Sequence, residues 1–252
     1  MIRKYSPNFI TCLNIISGSL AVLFAIKGEL SVSVILIIAA TIFDFFDGLA
    51  ARMLNAYTPL GKELDSLADM ISFGLAPGML MMVMQEYALF GMNVRAENFL
   101  DLSIWEIACI SASLLIPVFS AVRLAKFNID TRQANSFIGL PTPANALFIA
   151  SLALITEHGK YEILDAYILQ PIVLLVITIV MSLLLVSELP MFSLKFKNLS
   201  WVDNKVRFIF LSISVVLIIA FNIYGIAAVI VSFILISAFL RLKTINRTIS
   251  KE

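Results

Sequence analysis

Apolar stretches near or above the length needed to cross a lipid bilayer recur along the sequence, and this feature limits the fold more than any other. The hydrocarbon core of a bilayer is about 30 Å thick, so a spanning helix needs roughly 20 mainly apolar residues. Of the 252 residues, 60% are hydrophobic and only 14% are charged, unlike an ordinary soluble domain. A single cleaved signal peptide does not explain so many stretches. The sequence therefore predicts an all-α integral membrane protein.

We predict about eight transmembrane helices, packed as a polytopic helical bundle. The predicted spans cover residues 11–27, 31–51, 64–86, 104–122, 142–157, 167–187, 207–222 and 226–241. The preceding segment, residues 1–10, is basic and carries aromatic and apolar side chains, so we predict a short interfacial helix there. No long linker or internal repeat divides the chain, which indicates a single membrane domain over residues 1–252.

The lysines and arginines predict the orientation of the helices. If the N-terminus is cytosolic, all of the 18 basic residues except Lys27, Arg95 and Lys160 fall on the cytosolic side. The only histidine, His158, would then lie on the opposite side. The formal net charge of +1 gives no indication of a nucleic acid partner, and we predict none.

The two cysteines, Cys12 and Cys109, are far apart in sequence and both lie within apolar stretches. Two such separated thiols provide neither a disulfide framework nor the ligand spacing of a zinc site. We interpret both as apolar residues packed inside the protein.

Four aspartates flank the turn between the second and third predicted spans: Asp44, Asp47, Asp65 and Asp69. Their spacing is helical, so each pair shares one face of its helix. A turn containing Pro59 would make the two helices antiparallel and bring the four carboxylates together. Clustered carboxylates at the edge of a membrane require a compensating cation, and hard oxygen ligands favour magnesium, manganese or calcium over zinc. We predict a metal site on the cytosolic side.

Small residues and an arginine accompany the aspartates on the same helix faces. Gly48 and Gly61 remove side chains at places where a bulky anionic ligand or a second backbone must approach. Arg52 is suited to holding a phosphate group. A solvated loop with incidental acids is the alternative interpretation, but it leaves the shared faces and the paired glycines unexplained.

The pattern D-x2-D-G-x2-A-R-x8-G-x3-D-x3-D over residues 44–69 resembles the signature of the CDP-alcohol phosphatidyltransferases, and every position is filled. The resemblance implies a core of six transmembrane helices, a CDP-linked lipid donor, two Mg²⁺ or Mn²⁺ ions, and transfer to an alcohol with release of CMP. It also implies that Asp44 and Asp65 bridge both ions, while Asp47 completes one site and Asp69 the other. A homodimer in a bacterial or archaeal cell membrane is further implied.

Several local segments resemble the branch of this family that uses L-serine as the acceptor and CDP-diacylglycerol as the donor. They are residues 6–14, 63–78, 123–128, 139–145 and 187–195. On this basis we expect residues 11–200 to form the catalytic core and residues 201–252 to add further transmembrane helices. Glycerol phosphate or inositol phosphate remains open as an acceptor. An ion or proton transporter is the alternative from another class, but the acids gather at one membrane face.

Two side chains after the fourth predicted span are candidates for binding serine. Arg123 would suit the carboxylate through its fork of donors, and Asn128 is the second candidate. Lys126 lies between them and is better interpreted as an anchor at the lipid headgroups. Basic anchors on the cytosolic side are also the alternative interpretation for Arg123.

The remaining polar residues provide candidates for nucleotide binding and for the general base. Asn14 is the candidate for binding the base or sugar of the nucleotide, whereas Asn8 and Thr11 are interpreted as helix caps. Asp69 is the candidate general base, because His158 is predicted across the membrane. The alternative is that Asp69 only ligates metal.

Overall fold

The computed structural model describes residues 2–92, 94, 98–130, 137–192 and 200–249. Helices dominate these ranges. The α-helices are Ile2–Ile26 (α1), Leu30–Met53 (α2), Pro59–Asp69 (α3), Ala76–Phe90 (α4), Ile104–Ala112 (α5), Leu115–Ile129 (α6), Thr142–His158 (α7), Glu162–Ile168 (α8), Pro171–Val186 (α9), Trp201–Phe221 (α10) and Ile223–Ile249 (α11). A π-helical segment, Met70–Leu75, joins α3 to α4, and a 3₁₀ turn covers Phe99–Asp101. Two short strands, Phe137–Ile138 (β1) and Pro190–Met191 (β2), pair antiparallel.

The all-α polytopic architecture predicted from the sequence is confirmed. In the described ranges, six helical segments are long and apolar enough to cross a membrane. They are Ser6–Ile26, Leu30–Met53, Pro59–Phe90, Ile104–Ile129, Asn204–Phe221 and Ile223–Leu242. Helices α8 and α9, bent by 63°, would form a seventh. The remaining predicted span corresponds to α7, which has only 17 residues and is largely buried by its neighbours.

The N-terminal segment differs from the sequence prediction. Helix α1 begins at Ile2 and continues without a break to Ile26, so no separate helix precedes the first span. Pro7 lies within α1, where the missing N–H removes one backbone hydrogen bond without ending the helix. The cysteines also differ from each other: Cys109 is buried as predicted, whereas Cys12 is exposed on the surface of α1.

The interior of the bundle lies around α4 and α7. Helix α4 packs against α1, α7 and α9, while α2 packs against α1 and α7. Because lipid is as apolar as the helices, close packing of small residues is a main source of attraction between them. A β-carbon added at Gly78 would lie 2.8 Å from Pro117 Cδ, and one at Gly18 would overlap the Ser72 hydroxyl. Glycine is therefore needed where α1 meets the π-helical segment and where α4 meets α6.

The N-terminus of α2 is held by the end of α7. The Glu157 carboxylate accepts hydrogen bonds from the backbone N–H groups of Leu30 at 3.1 Å and Ser31 at 3.0 Å. These are two of the N–H groups that a helix leaves without an internal partner. His158 Nε2 lies 2.9 Å from Ser31 Oγ. His158 thus lies beside Ser31 at the start of α2, and about 24 Å of helix, at 1.5 Å per residue, separates Ser31 from Asp47.

Candidate active site

The turn between α2 and α3 is fixed by local chemistry. Asn55 adopts a positive φ of 50°, a conformation that asparagine tolerates better than most residues. Thr58 caps α3, because its hydroxyl oxygen accepts a hydrogen bond from Gly61 N at 2.9 Å. Pro59 occupies the first helical position, where its missing N–H costs nothing. These features fix where the chain leaves α2 and enters α3, and both helices pack against α1.

Three of the four predicted aspartates form one tight group. One carboxylate oxygen from each of Asp44, Asp47 and Asp65 lies within 4.8 Å of the others. Asp44 and Asp65 are within hydrogen-bonding reach of each other. Two ionised carboxylates this close repel unless a proton or a cation lies between them. An all-oxygen ligand set of this kind suits a hard divalent cation.

The fourth aspartate, Asp69, lies just outside that group. Asp69 is close enough to Asp44 and Asp65 for their like charges to repel. It is also close enough to Arg123 for their opposite charges to attract. Its Oδ1 atom is buried and has no hydrogen-bond partner within the described ranges. Directly after Asp69 the helix widens into the π-helical segment, a distortion that is frequent at functional sites. Asp69 thus lies near both the aspartate group and Arg123.

A first cavity of about 190 Å³ opens beside the aspartates. Asp47, Asp65, Gly48 and Gly61 line it, so it includes both glycines for which the sequence predicts a role in diphosphate binding. A β-carbon at Gly48 would meet nothing within 4 Å, so this glycine borders open space. At Gly61, a β-carbon would lie 3.1 Å from Asn8 Oδ1, so a larger side chain would crowd the cavity between α1 and α3.

Two of the predicted nucleotide-binding residues lie away from the first cavity. Asn14 is fully buried, and its Oδ1 accepts a hydrogen bond from Ser72 Oγ at 2.6 Å, so it joins α1 to the π-helical segment and does not line the first cavity. Arg52 is exposed at the last turn of α2 and does not line this cavity either. Asn8 and Thr11 line it instead. They cannot cap α1 because α1 already begins at Ile2.

Other lining residues were not predicted as ligands. Tyr57 and Lys62 contribute a phenol and an ammonium group to the first cavity, from the turn and from α3. No spacing signal in the sequence marks either of them. Only the short turn before α3 could have indicated that they face the aspartates.

A second cavity, of about 320 Å³, lies on the side of Arg123. Arg123 is buried, and its Nη1 donates to Thr142 Oγ1 at 3.3 Å. Lys126, interpreted as a headgroup anchor, also lines this cavity. Asn128 does not: its side-chain amide donates to Ser66 Oγ at 2.9 Å, and its backbone carbonyl oxygen accepts from Lys62 Nζ at 3.1 Å. Asn128 therefore ties the end of α6 to α3 and lies outside the lining of the second cavity.

Comparison with known proteins decides the family. Residues 4–187 match the family model of CDP-alcohol phosphatidyltransferase, a range that includes the four aspartates and Arg123. The chain belongs to the CDP-alcohol phosphatidyltransferase family. Members of this family generally depend on divalent metal ions, and the aspartate group could bind one. Helices α10 and α11 lie outside the matched range.

Curated relatives in this family come from bacteria and archaea. The chain is 32% identical over 186 residues to the CDP-diacylglycerol–serine O-phosphatidyltransferase of Bacillus subtilis, covering 74% of this chain and 89% of that protein. It is 33% identical over 161 residues to the Helicobacter pylori protein of the same name, covering 63% and 60%. It is 35% identical over 162 residues to the archaetidylserine synthase of Methanothermobacter thermautotrophicus, covering 64% and 61%.

Proposed function

We propose that this family member transfers the phosphatidyl group of CDP-diacylglycerol to the hydroxyl group of L-serine and releases CMP. The observation that carries the proposal is the group formed by Asp44, Asp47 and Asp65 beside a cavity lined by Gly48 and Gly61. Serine as the acceptor rests on the names of the curated relatives.

The metal ions we propose are two Mg²⁺ or Mn²⁺, held by Asp44, Asp47, Asp65 and Asp69. Bound there, they would neutralise the carboxylates and stabilise charge on the diphosphate oxygens. The buried, unpartnered Oδ1 of Asp69 supports its inclusion, because buried polar atoms normally have a partner. Asp69 lies outside the tight group, which fits an additional role for its carboxylate.

The chain's own residues would position the two reactants. The first cavity would hold the diphosphate and nucleoside, with Gly48 leaving space and Asn8 offering an amide. The serine oxygen would attack the phosphorus that bears the lipid, and the bond from that phosphorus to the CMP oxygen would break. The proton of the serine hydroxyl would pass to Asp69. Arg123 would bind the acceptor, and its position on the lining of the neighbouring cavity, close to Asp69, supports this role.

The acceptor is tested by supplying purified protein in lipid nanodiscs with CDP-diacylglycerol and labelled L-serine, glycerol phosphate or inositol phosphate in separate reactions. We expect labelled lipid and an equal amount of CMP with serine alone, and only when Mg²⁺ or Mn²⁺ is present. Label transfer from a phosphorylated acceptor in place of serine would refute the substrate. Ion flux without CMP release would favour the transporter alternative.

We also propose that the aspartates face the cytosol of a bacterial or archaeal cell, as the basic residues predict. In a variant without Cys12 and Cys109, single cysteines would replace Tyr57 beside the aspartates or Lys160 at the opposite end. Both native side chains are exposed. In intact cells an impermeant maleimide should label position 160 and leave position 57 unlabelled until the membrane is permeabilised. The reverse pattern would mean that the orientation is inverted.

The proposed partners are CDP-diacylglycerol, L-serine, the surrounding membrane lipids and a second copy of the chain. The homodimer is inferred from the family alone. Mass measurement of the protein in nanodiscs would test it, with a single copy per disc as the contrary result.

A further inference from the structure

Arg123 borders the second cavity and lies near Asp69. Its side chain is 7% exposed, lines the cavity and is close enough to Asp69 for their opposite charges to attract. Nη1 donates to Thr142, while the buried Nε has no partner within the described ranges. Buried polar groups are normally hydrogen-bonded, so an arginine with an unused donor is equipped to bind an anionic group. The Nε–H group of Arg123 is therefore available to an anionic ligand in the second cavity.

The described lining of this cavity carries charges of both signs. Arg123 and Lys126 come from α6, whereas Asp130 directly follows α6 and Glu188 follows α9. A cavity built for a phosphorylated acceptor should present cations alone, because carboxylates repel a phosphate dianion. Charges of opposite sign on separate elements suit a ligand that carries both signs.

The segment that carries Glu188 is held in place by the rest of the fold. Gly139 N donates to Leu189 O at 2.9 Å, and β1 pairs with β2 through Ile138 and Pro190. Gly139 has a φ of 77°, and a β-carbon there would overlap the Leu185 carbonyl oxygen. Glycine therefore allows the β1 backbone to lie against the end of α9. This fixes the backbone on either side of Glu188 at the cavity.

We infer that the second cavity binds the acceptor as a zwitterion, with Arg123 binding its carboxylate and Glu188 binding its ammonium group. Glu188 is assigned in preference to Asp130 because it comes from a different element than the cations, so the two charges of the ligand are bound from two sides. The inference rests on the proposed function and adds the basis of acceptor selectivity. Serine satisfies both charged groups, whereas each phosphorylated acceptor meets an opposing carboxylate.

The test compares L-serine with two smaller alcohols that each lack one charge. 3-Hydroxypropionate lacks the ammonium group, and ethanolamine lacks the carboxylate. We expect wild type to prefer serine to both. Glu188→Gln should raise the KM for serine by about tenfold or more, since breaking a charge pair typically costs that much or more. It should also abolish the preference for serine over 3-hydroxypropionate and leave the KM for CDP-diacylglycerol unchanged.

The matched control is Glu63→Gln, because Glu63 is an exposed acid on α3 that lines neither cavity. It should behave as wild type. An unchanged serine KM in a folded Glu188→Gln enzyme would overturn the inference while leaving serine transfer intact. If that variant does not fold, wild type decides, because equal use of 3-hydroxypropionate and serine would overturn the inference. Failure of wild type to use serine at all would instead overturn the proposed function.

Discussion

Replacing Asp44 by alanine is expected to lower the turnover of lipid synthesis by about 10³-fold or more, the scale seen when a main electrostatic contact of a transition state is removed. Asp44 belongs to the group of three carboxylates within 4.8 Å, and it is also within hydrogen-bonding reach of Asp65. The resemblance to the family implies that Asp44 is a ligand of both metal ions, so its replacement would remove a ligand from each of them. The measurement is the initial rate of CMP release at saturating serine and CDP-diacylglycerol.

The matched control for this prediction is Glu63→Ala, which removes an acid two residues before Asp65 without touching the group. It should retain the wild-type rate. Binding of Mn²⁺, followed by the loss of its free-ion resonance signal, should fall in Asp44→Ala and persist in Glu63→Ala. Full activity in Asp44→Ala, or in wild type after exhaustive chelation, would contradict the metal assignment.

The aspartate site was predictable because its information is local. Asp44 and Asp47 lie one turn apart on α2, Asp65 and Asp69 one turn apart on α3, and the Thr58–Pro59 start of α3 is a recognised helix-start signal. Helical spacing and a turn were therefore sufficient to expect the cluster. The π-helical segment after Asp69 was not predictable, since it depends on packing against α1 and α6.

The choice of residues lining the first cavity from α1 was not predictable, and the reason is also local. The prediction of Asn14 in place of Asn8 depends on where α1 begins. A sequence pattern locates the ends of a helix less precisely than its centre. With the start at Ile2, Asn8 moves from a cap to an interior position facing the first cavity, and Asn14 moves into the core.

The lining of the second cavity depends on contacts between parts of the chain that are distant in sequence. Arg123 was predicted from its charge, but its cavity includes Glu188, which is positioned by the pairing of β1 with β2. No periodic pattern marks strands of two residues. The contact of Asn128 with Ser66 was likewise not predictable, because it joins α6 to α3.

Replacing Asp69 by asparagine is expected to reduce turnover by about 100-fold or more and to weaken metal and CDP-diacylglycerol binding far less, which is the effect of removing a general base. The serine hydroxyl is a poor nucleophile until its proton is removed. His158 is at the opposite end of α2 and cannot accept this proton. Asp69 has a buried, unpartnered oxygen and lies near Arg123, which lines the proposed acceptor cavity. Asparagine keeps the shape of the side chain but cannot take the proton.

The comparison that separates a base from a simple ligand is Asp69→Asn against Asp47→Asn. Asp47 belongs to the tight group, so its replacement should weaken Mn²⁺ binding together with turnover. Asp69 lies outside that group, so its replacement should affect turnover far more than binding. Equal loss of metal binding in both variants would favour Asp69 as a ligand only. Wild-type turnover in Asp69→Asn would refute both roles, because neither a base nor a necessary ligand can be lost without a change in rate.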